Sequence, residues 1–431
     1  MKKRAVLLLS SVITGIALPF VMGPPSYAGG GGKGSAITVG SCPGASFPTI
    51  QQGVNAAPAG GTVYVCPGTY PEQVEITKNL NVIGTAVGNA GAAVVVPPGG
   101  GLAFNATNLV APSVDIAASI WVYGANKVNL QNLTVDDNGN GITGCTGNQL
   151  VGVLYQNSSG ILNEIATRNQ TLPGSPLCTT GIGIFVQSLA PAYSYVSILD
   201  SSIHDYQQTG IIANEQGTTA TIYGDAIRGL GPIAGPAQKG IQFAFGSTGS
   251  VYDTSLIDHV WADTDGSDFG IGILIFAAPG VNIGNNTIAN DQIGIASQSD
   301  PGVGLSDGGC ISGNTIFGTV LYDGIDLCSS HHTISQNTIS DSDESGIFLD
   351  DQCDPSGSYN NVSGNTINEA CAGLLIGPTA TGNMIGYNAI FNSIYLKSYS
   401  DSCSGLEEAE AAVASVASND VASPHTSSPI R

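Results

Sequence analysis

Positive charge is what this sequence has least of. Of 431 residues, 11 are Lys or Arg against 32 Asp or Glu, a formal net charge of -21. Three of the cations, Lys2, Lys3 and Arg4, crowd the start, so the chain beyond residue 28 carries 11 - 3 = 8 cations and a charge of -21 - 3 = -24. The eight are scattered from Lys33 to Arg431. Nucleic acid binding needs clustered Lys and Arg to neutralise phosphates, so nucleic acid is excluded as a partner. Anionic membrane surfaces are disfavoured for the same reason. Methionine (3) and histidine (5) are sparse, and no Cys-x-x-Cys pair occurs, which removes the usual zinc signatures. Glycine is abundant at 59, but without a Gly-X-Y period, so collagen is excluded. After the leader no apolar run approaches the length needed to span a bilayer. The 42% of hydrophobic residues excludes wholesale disorder.

What is present is repetition. Ile283-Gly-Asn-Asn286-Thr-Ile288 returns as Ile311-Ser-Gly-Asn314-Thr-Ile316, Ile334-Ser-Gln-Asn337-Thr-Ile339, Val362-Ser-Gly-Asn365-Thr-Ile367 and Ile385-Gly-Tyr-Asn388-Ala-Ile390. The asparagines stand 28, 23, 28 and 23 residues apart. Degraded forms precede them, among them Ile198-Leu-Asp-Ser201, Ile222-Tyr-Gly-Asp225 and Val251-Tyr-Asp-Thr254. A second phrase, Gly followed by an aliphatic residue, alternates with the first at Gly152, Gly181, Gly210, Gly240, Gly270, Gly294, Gly324, Gly346 and Gly373. Short β-branched segments at this period mark a solenoid whose coils bury their apolar faces only against neighbours. The constant asparagine predicts a hydrogen-bonded ladder, as in other stacked β structures. Ile50 and Val54, four apart on one face, predict a short helix capping the first coil.

The basic start, the apolar stretch Ala5 to Met22 and Ser26-Tyr27-Ala28 resemble a bacterial secretory signal peptide cleaved after Ala28. Residues 29–45 read as a flexible linker, 46–403 as the solenoid, and 404–431 as a C-terminal cap and tail. Export favours disulfides for the nine cysteines. The spacings predict Cys310–Cys328 and Cys353–Cys371, with Cys42–Cys66 and Cys145–Cys178 as weaker pairs and Cys403 left over.

Gly60-Gly-Thr-Val-Tyr-Val-Cys66-Pro-Gly68-Thr-Tyr70-Pro-Glu72 resembles the opening coil of right-handed parallel β-helix proteins of the pectin lyase-like superfamily. That resemblance implies an all-β, single-stranded, right-handed parallel β-helix of about 10–13 coils. Gly68-x-Tyr70-x-Glu72 also matches the first motif of pectin methylesterases, whose later motifs do not follow; it reads as shaping the first coil. Tyr322-Asp323-Gly324 and, 20 residues on, Asp343-Glu344 resemble the polygalacturonase aspartate motifs. The resemblance makes Asp323, Asp343 and Glu344 catalytic candidates, as inverting hydrolysis needs one carboxylic acid and one carboxylate. Where that family has Gly-His-Gly, this chain has Cys371-Ala372-Gly373. A uronate lyase would need a cationic base, and Arg168 and Arg228 are isolated.

Asp263-Thr-Asp265-Gly-Ser-Asp268 and Asp136-Asp137-Asn138-Gly-Asn140 place oxygens at alternate positions about a glycine, a hard-cation pattern that makes calcium a candidate at Asp263, Asp265 and Asp268. Asx-rich turns bonding their own backbone explain the same residues, and His331-His332 reads as an exposed corner. The expected function is an exported protein that binds or processes an extracellular polysaccharide in the manner of a glycoside hydrolase. The alternative is a non-catalytic surface or adhesion rod. A third option, a β-helix module attached to copper-site maturation, lacks a His/Met cluster.

Overall fold

A computed structural model describes residues 36–86, 92–144, 147–172, 174, 177–262, 268–351 and 356–398. Its strands stack in parallel into three faces. Sheet A takes the strands that begin at Ile37, Gly61, Leu80, Val128, Gly160, Ser194, Thr218, Thr248, Asn282, Cys310, Thr333, Asn361 and Met384, thirteen rungs. Sheet B follows each rung across one corner, and sheet C follows sheet B. The chain is a right-handed parallel β-helix.

The repeat phrase is the corner between sheets A and B. Its first aliphatic residue points inward from sheet A, where Ile283, Ile311, Ile334 and Val362 are in register. Its last does so from sheet B, with Ile288, Ile316, Ile339 and Ile367 aligned. All eight are fully buried, each worth about 1.5–3 kcal/mol relative to exposure. The third position turns the chain with a left-handed backbone, at φ 56° for Asn285 and 70° for Gly313. There glycine or a short amide side chain is tolerated best.

The fourth position carries the ladder. Asn286, Asn314, Asn337 and Asn365 each donate from Nδ2 and from the backbone N–H to Oδ1 of the next asparagine, at 2.8–3.1 Å. The degraded phrases continue it. Thr254 N–H donates to Asn286, Asp225 N–H to Thr254 Oγ1, Ser201 N–H to Asp225, and Ile165 N–H to Ser201 Oγ.

Glycines open sheet C. A Cβ on Gly294 would lie 2.6 Å from the carbonyl oxygen of Gly324, and the same clash recurs from Gly152 to Gly346. Close approach of successive coils, not positive φ, requires glycine here. The column runs through Gly183 and Gly272 rather than the expected Gly181 and Gly270: Val153 pairs with Ile184, and Ile241 with Ile273. Gly-Ile-Gly-Ile at 181–184 and 270–273 offers two overlapping matches, and the inward stack selects the second.

The helix Ile50–Ala56 caps the first rung with Ile50 and Val54 buried. Glu72 accepts the backbone N–H groups of Ile50 (2.7 Å) and Gln51 (2.9 Å), satisfying orphan donors at the helix start. Tyr70 Oη donates to the Cys66 carbonyl at 2.6 Å. The Gly68-x-Tyr70-x-Glu72 element is therefore a structural clasp. The expected linker 29–45 needs correction. Ile37–Val39 already pairs with Val63–Val65 as the first rung, a strand too short to stand out from glycine-rich surroundings.

Cys42 and Cys66 are bridged. Cys310 is a free thiol, while Cys328, Cys178 and Cys371 are each disulfide-bonded. The expected Cys310–Cys328 bridge is thus wrong: a spacing close to one coil was not enough to bring those two sulfurs together. Cys145, Cys353 and Cys403 lie outside the described residues, as do the expected signal peptide 1–28 and residues 404–431. Among the described residues no helix is long and apolar enough to cross a membrane.

Candidate functional site

The sequence candidates separate in space. Asp323 ends the turn from sheet B into sheet C and is buried, its Oδ1 accepting the backbone N–H of Ser345 at 3.0 Å and that residue's hydroxyl at 2.5 Å. Glu344, on the next coil, is nearly buried, and its charge acts on Asp323. Burial first and Glu344 second push the Asp323 carboxyl well above the usual carboxylate range. Asp343 is exposed and caps the backbone N–H of Leu321 through Oδ2 at 2.7 Å. Asp323 and Glu344 thus meet, while Asp343 serves the turn.

Two acids that the motif comparison passed over complete the cluster. Asp326 stands on sheet C between Ile325 and Leu327, which face the core, so its side chain projects outward in register with Ala296 and Phe348. Asp350 follows Leu349 one coil on, and the two acids line one narrow crevice with Phe269 and Gln298. Asp326 keeps an exposed edge, yet its Oδ1 is sealed from solvent without a hydrogen-bond partner. Burial, then Asp350, then Asp323 and Glu344 raise its carboxyl well above the usual range. The crevice volume is 10 Å³, room for about one water. Phe269 and Tyr322 pack edge to face beside it, rings 4.6 Å apart. The sequence signal for Asp326 was a carboxylate breaking the aliphatic Gly-Ile-x-Leu of a sheet C strand.

Chemically, this arrangement favours the protonated form of Asp323 and Asp326 beside acids that can carry charge. That division of roles is what general acid–base catalysis requires.

Of the three calcium candidates only Asp268 is described. Asp268 binds Lys239 Nζ through both oxygens, at 2.9 and 3.1 Å, and the lysine is itself buried. Asp263 and Asp265 lie outside the described residues. Asp136 pairs with Arg168 at 2.8 Å, and Asp137 is buried against Ser119 and Gln170. Burial pushes the Asp137 carboxyl up to about 7.

Two histidines are also committed. Tyr206 Oη meets His259 Nε2, and His259 Nδ1 lies 2.7 Å from Asp291 Oδ1, all three fully buried. His332 is buried rather than an exposed corner. Its Nδ1 accepts the Gly309 N–H at 3.1 Å, its Nε2 lies 2.8 Å from Ser329 Oγ, and burial pushes it down to about 4. His331 is exposed and stacks on Tyr359.

A second cavity lies on the outer side of sheet C near the N-terminal end, with a volume of 470 Å³. Residues 97–114 leave the coil there and return through Ala106–Thr107, antiparallel to Asp115–Ile116. Amides staple this excursion down. Gln156 Nε2 donates to the Thr107 carbonyl at 2.8 Å, Gln187 Oε1 accepts Leu109 N–H at 3.0 Å, and Gln187 Nε2 donates to Asn108 at 3.0 Å.

A family model described as "Periplasmic copper-binding protein (NosD)" matches residues 238–406, less than half of the chain. No curated protein matches the sequence. Similar solved structures include a GH136 lacto-N-biosidase from Eubacterium ramulus, with 13% identity, 83% of this chain and 68% of that one covered, and TM-score 0.58. The A-module of a mannuronan C-5 epimerase from Azotobacter vinelandii gives 14% identity, coverage of 88% and 95%, and TM-score 0.58. A lidless DFA-IIIase from Arthrobacter chlorophenolicus gives 12%, 82% and 98%, and 0.50. These likenesses are of fold. The donor set does not fit the copper of the family description. Copper sites draw on gathered imidazole, thioether or thiolate; His259 and His332 are spent on internal bonds and Cys328 and Cys371 on disulfides, and the free thiol Cys310 and exposed His331 belong to no such group. No group of three or more His, Cys, Asp or Glu among the described residues could hold a metal.

Proposed function

We propose that this chain is an exported β-helix protein that binds and processes an extracellular polysaccharide, with the carboxyl cluster Asp323, Asp326, Glu344 and Asp350 as its reactive centre. The observation that carries the reading is the outward-facing Asp326, its Oδ1 sealed without a partner, in one crevice with Asp350 and near buried Asp323; burial and acids on the adjacent coil push Asp323 and Asp326 above their ordinary range. Asp326, outward-facing, would give its proton to a leaving glycosidic oxygen. A neighbouring carboxylate would take a proton from the attacking water, the crevice having room for one. The basic leader supports export, and the similar β-helix enzymes that act on glycans support the substrate class.

A reducing-sugar screen over neutral and acidic polysaccharides tests this. Turnover by the wild-type chain should fall by about 100-fold or more in Asp326→Asn, the scale of lost general acid catalysis. Turnover unchanged by Asp326→Asn and Asp323→Asn, or absent on every glycan, would sink the hydrolytic reading. The binding rod is the second reading, and the small volume of the crevice, room for about one water, favours it.

A further inference from the structure

We infer that the cavity between the 97–114 excursion and sheet C is a binding subsite for a neutral saccharide, with Trp121 and Tyr123 as its stacking platform. This extends the polysaccharide reading by naming the sugar's charge class. It rests on residues remote from the acids: Trp121 and Asp326 are seven rungs apart along sheet C, roughly 34 Å at the spacing of paired strands.

Three aromatic rings border the cavity. Trp121 and Tyr123 project from one strand on the same side, centroids 5.4 Å apart and tilted by 37°. The Trp121 indole N–H donates to Gln156 Oε1 at 3.0 Å, fixing the ring's orientation. Phe104 faces them from the excursion. Phe104 and Tyr123 remain 45% and 43% exposed although no core is left for them to fill. Exposed aromatic faces gathered around a cavity provide flat apolar area at low entropic cost, which suits the C–H face of a sugar ring. Of the polar lining groups, Gln156 is buried and holds Trp121 and Thr107, and the Asn105 amide is bonded to the Ala118 backbone, so they shape the wall, while the exposed Asp115 carboxylate can accept a sugar hydroxyl. The volume of 470 Å³ lies inside the usual range of small-ligand sites, about 300–1,000 Å³.

Charge selects among sugars. No Lys or Arg lines the cavity, Asp115 contributes a negative charge, and the chain carries a net -21. A uronate would meet only repulsion there, so the occupant is neutral.

The sequence supplies its own probe, since Trp121 shares the chain with one other tryptophan, Trp261. In full-length Trp261→Phe, indole fluorescence reports on Trp121 alone. Neutral tetrasaccharides of glucose, galactose and N-acetylglucosamine are titrated beside oligomannuronate and oligogalacturonate. At least one neutral series should shift Trp121 emission saturably, and the acidic oligomers should bind more weakly. Tyr123→Ala, at an exposed position where folding is not at stake, should weaken binding by roughly tenfold, the scale of one aromatic contact. Calorimetry on Trp121→Ala should show the same or a greater loss. No response to any neutral sugar, tighter binding of an acidic oligomer, or an affinity unchanged by Tyr123→Ala would each overturn the inference. Binding that persists in Asp326→Asn, or in a wild-type chain that turns over no glycan, upholds this subsite even as the hydrolytic reading fails.

Discussion

Asn337 gives two hydrogen bonds to one oxygen of Asn365: Nδ2 lies 2.9 Å from its Oδ1 and the backbone nitrogen 3.0 Å. Asn337 Oδ1 receives the same pair from Asn314, and Nδ2 also reaches the Ile311 carbonyl at 2.9 Å. Each rung's corner N–H is therefore satisfied by a side chain one coil further on, where no backbone partner reaches it. Replacing Asn337 with Ala orphans the buried N–H of Asn314 and leaves its side-chain amide only the Ile283 carbonyl. A buried donor left unmade costs about 1–3 kcal/mol. The expected outcome is a loss of that order in urea unfolding. Wild-type stability in Asn337→Ala would show the ladder to be energetically idle.

The same ladder contains one misfit. Asp225 occupies an asparagine slot, its Oδ1 taking the Ser201 N–H at 2.6 Å while Oδ2 is buried without a partner. Burial pushes the carboxyl from 3.8 up to about 7. A folded-state value above the unfolded one means the native state holds the proton longer. Stability is therefore greatest at low pH and falls as pH rises from about 4 to about 7. Asp225→Asn removes that charge and adds a donor. By register with Asn286, whose Nδ2 reaches Val251, the new amide would face the Ile198 carbonyl. The variant should gain stability at pH 8 and little at pH 4, as thermal melts at the two values will show. Equal effects at both would overturn the assignment.

The ladder was readable because it depends on one atom type in one slot. Ser201, Asp225 and Thr254 differ from asparagine but each offers an acceptor oxygen on a short side chain, so the corner persists through the degraded phrases. The glycine column was readable only to within two residues, because Gly181-Ile-Gly-Ile184 fits two registers and only the stack above and below chooses. The acids were half legible. Asp323 and Glu344 fall on adjacent coils in short phrases that a motif can mark, but Asp326 and Asp350 become neighbours only through the pairing of sheet C across coils. Nor could one-coil spacing identify disulfide partners: Cys310 stayed free while Cys328 bonded elsewhere. The Trp121 cavity left no local trace, since it needs an excursion 97–114 folded back onto a strand that begins later.

Gly294 sets a limit on how the coils can be varied. A Cβ there would stand 2.6 Å from the Gly324 carbonyl oxygen and 2.7 Å from Ile316 Cγ2. Backbone on one side and a packed core residue on the other leave little to give, and overpacking of this kind costs about 1–3 kcal/mol. Gly294→Ala should lose that much. Gly99→Ala, whose new methyl meets nothing within 4 Å, should stay within about 0.5 kcal/mol of wild type. Similar melting temperatures for the two variants would contradict the close-approach account.

Asp326 should reveal itself in stability as well as in turnover. Its carboxyl is raised by burial and by Asp350, so ionising it in the folded state is costly, while in the unfolded chain it is not. Its contribution is favourable at low pH, where both states are protonated, and declines as pH climbs above the ordinary carboxylate range. Asp326→Asn keeps the shape and removes the charge, so the variant should melt higher than wild type at pH 8 and close to it at pH 4. Asp350→Asn should act in the same direction by relieving Asp326 of its largest charge repulsion, and the double variant should gain less than the sum, because each single change already removes the repulsion they share. A pair retained at such a cost is expected of a working site rather than of a scaffold. Additive gains would show instead that the two acids do not feel each other, and would remove the electrostatic basis for assigning them a joint chemical role.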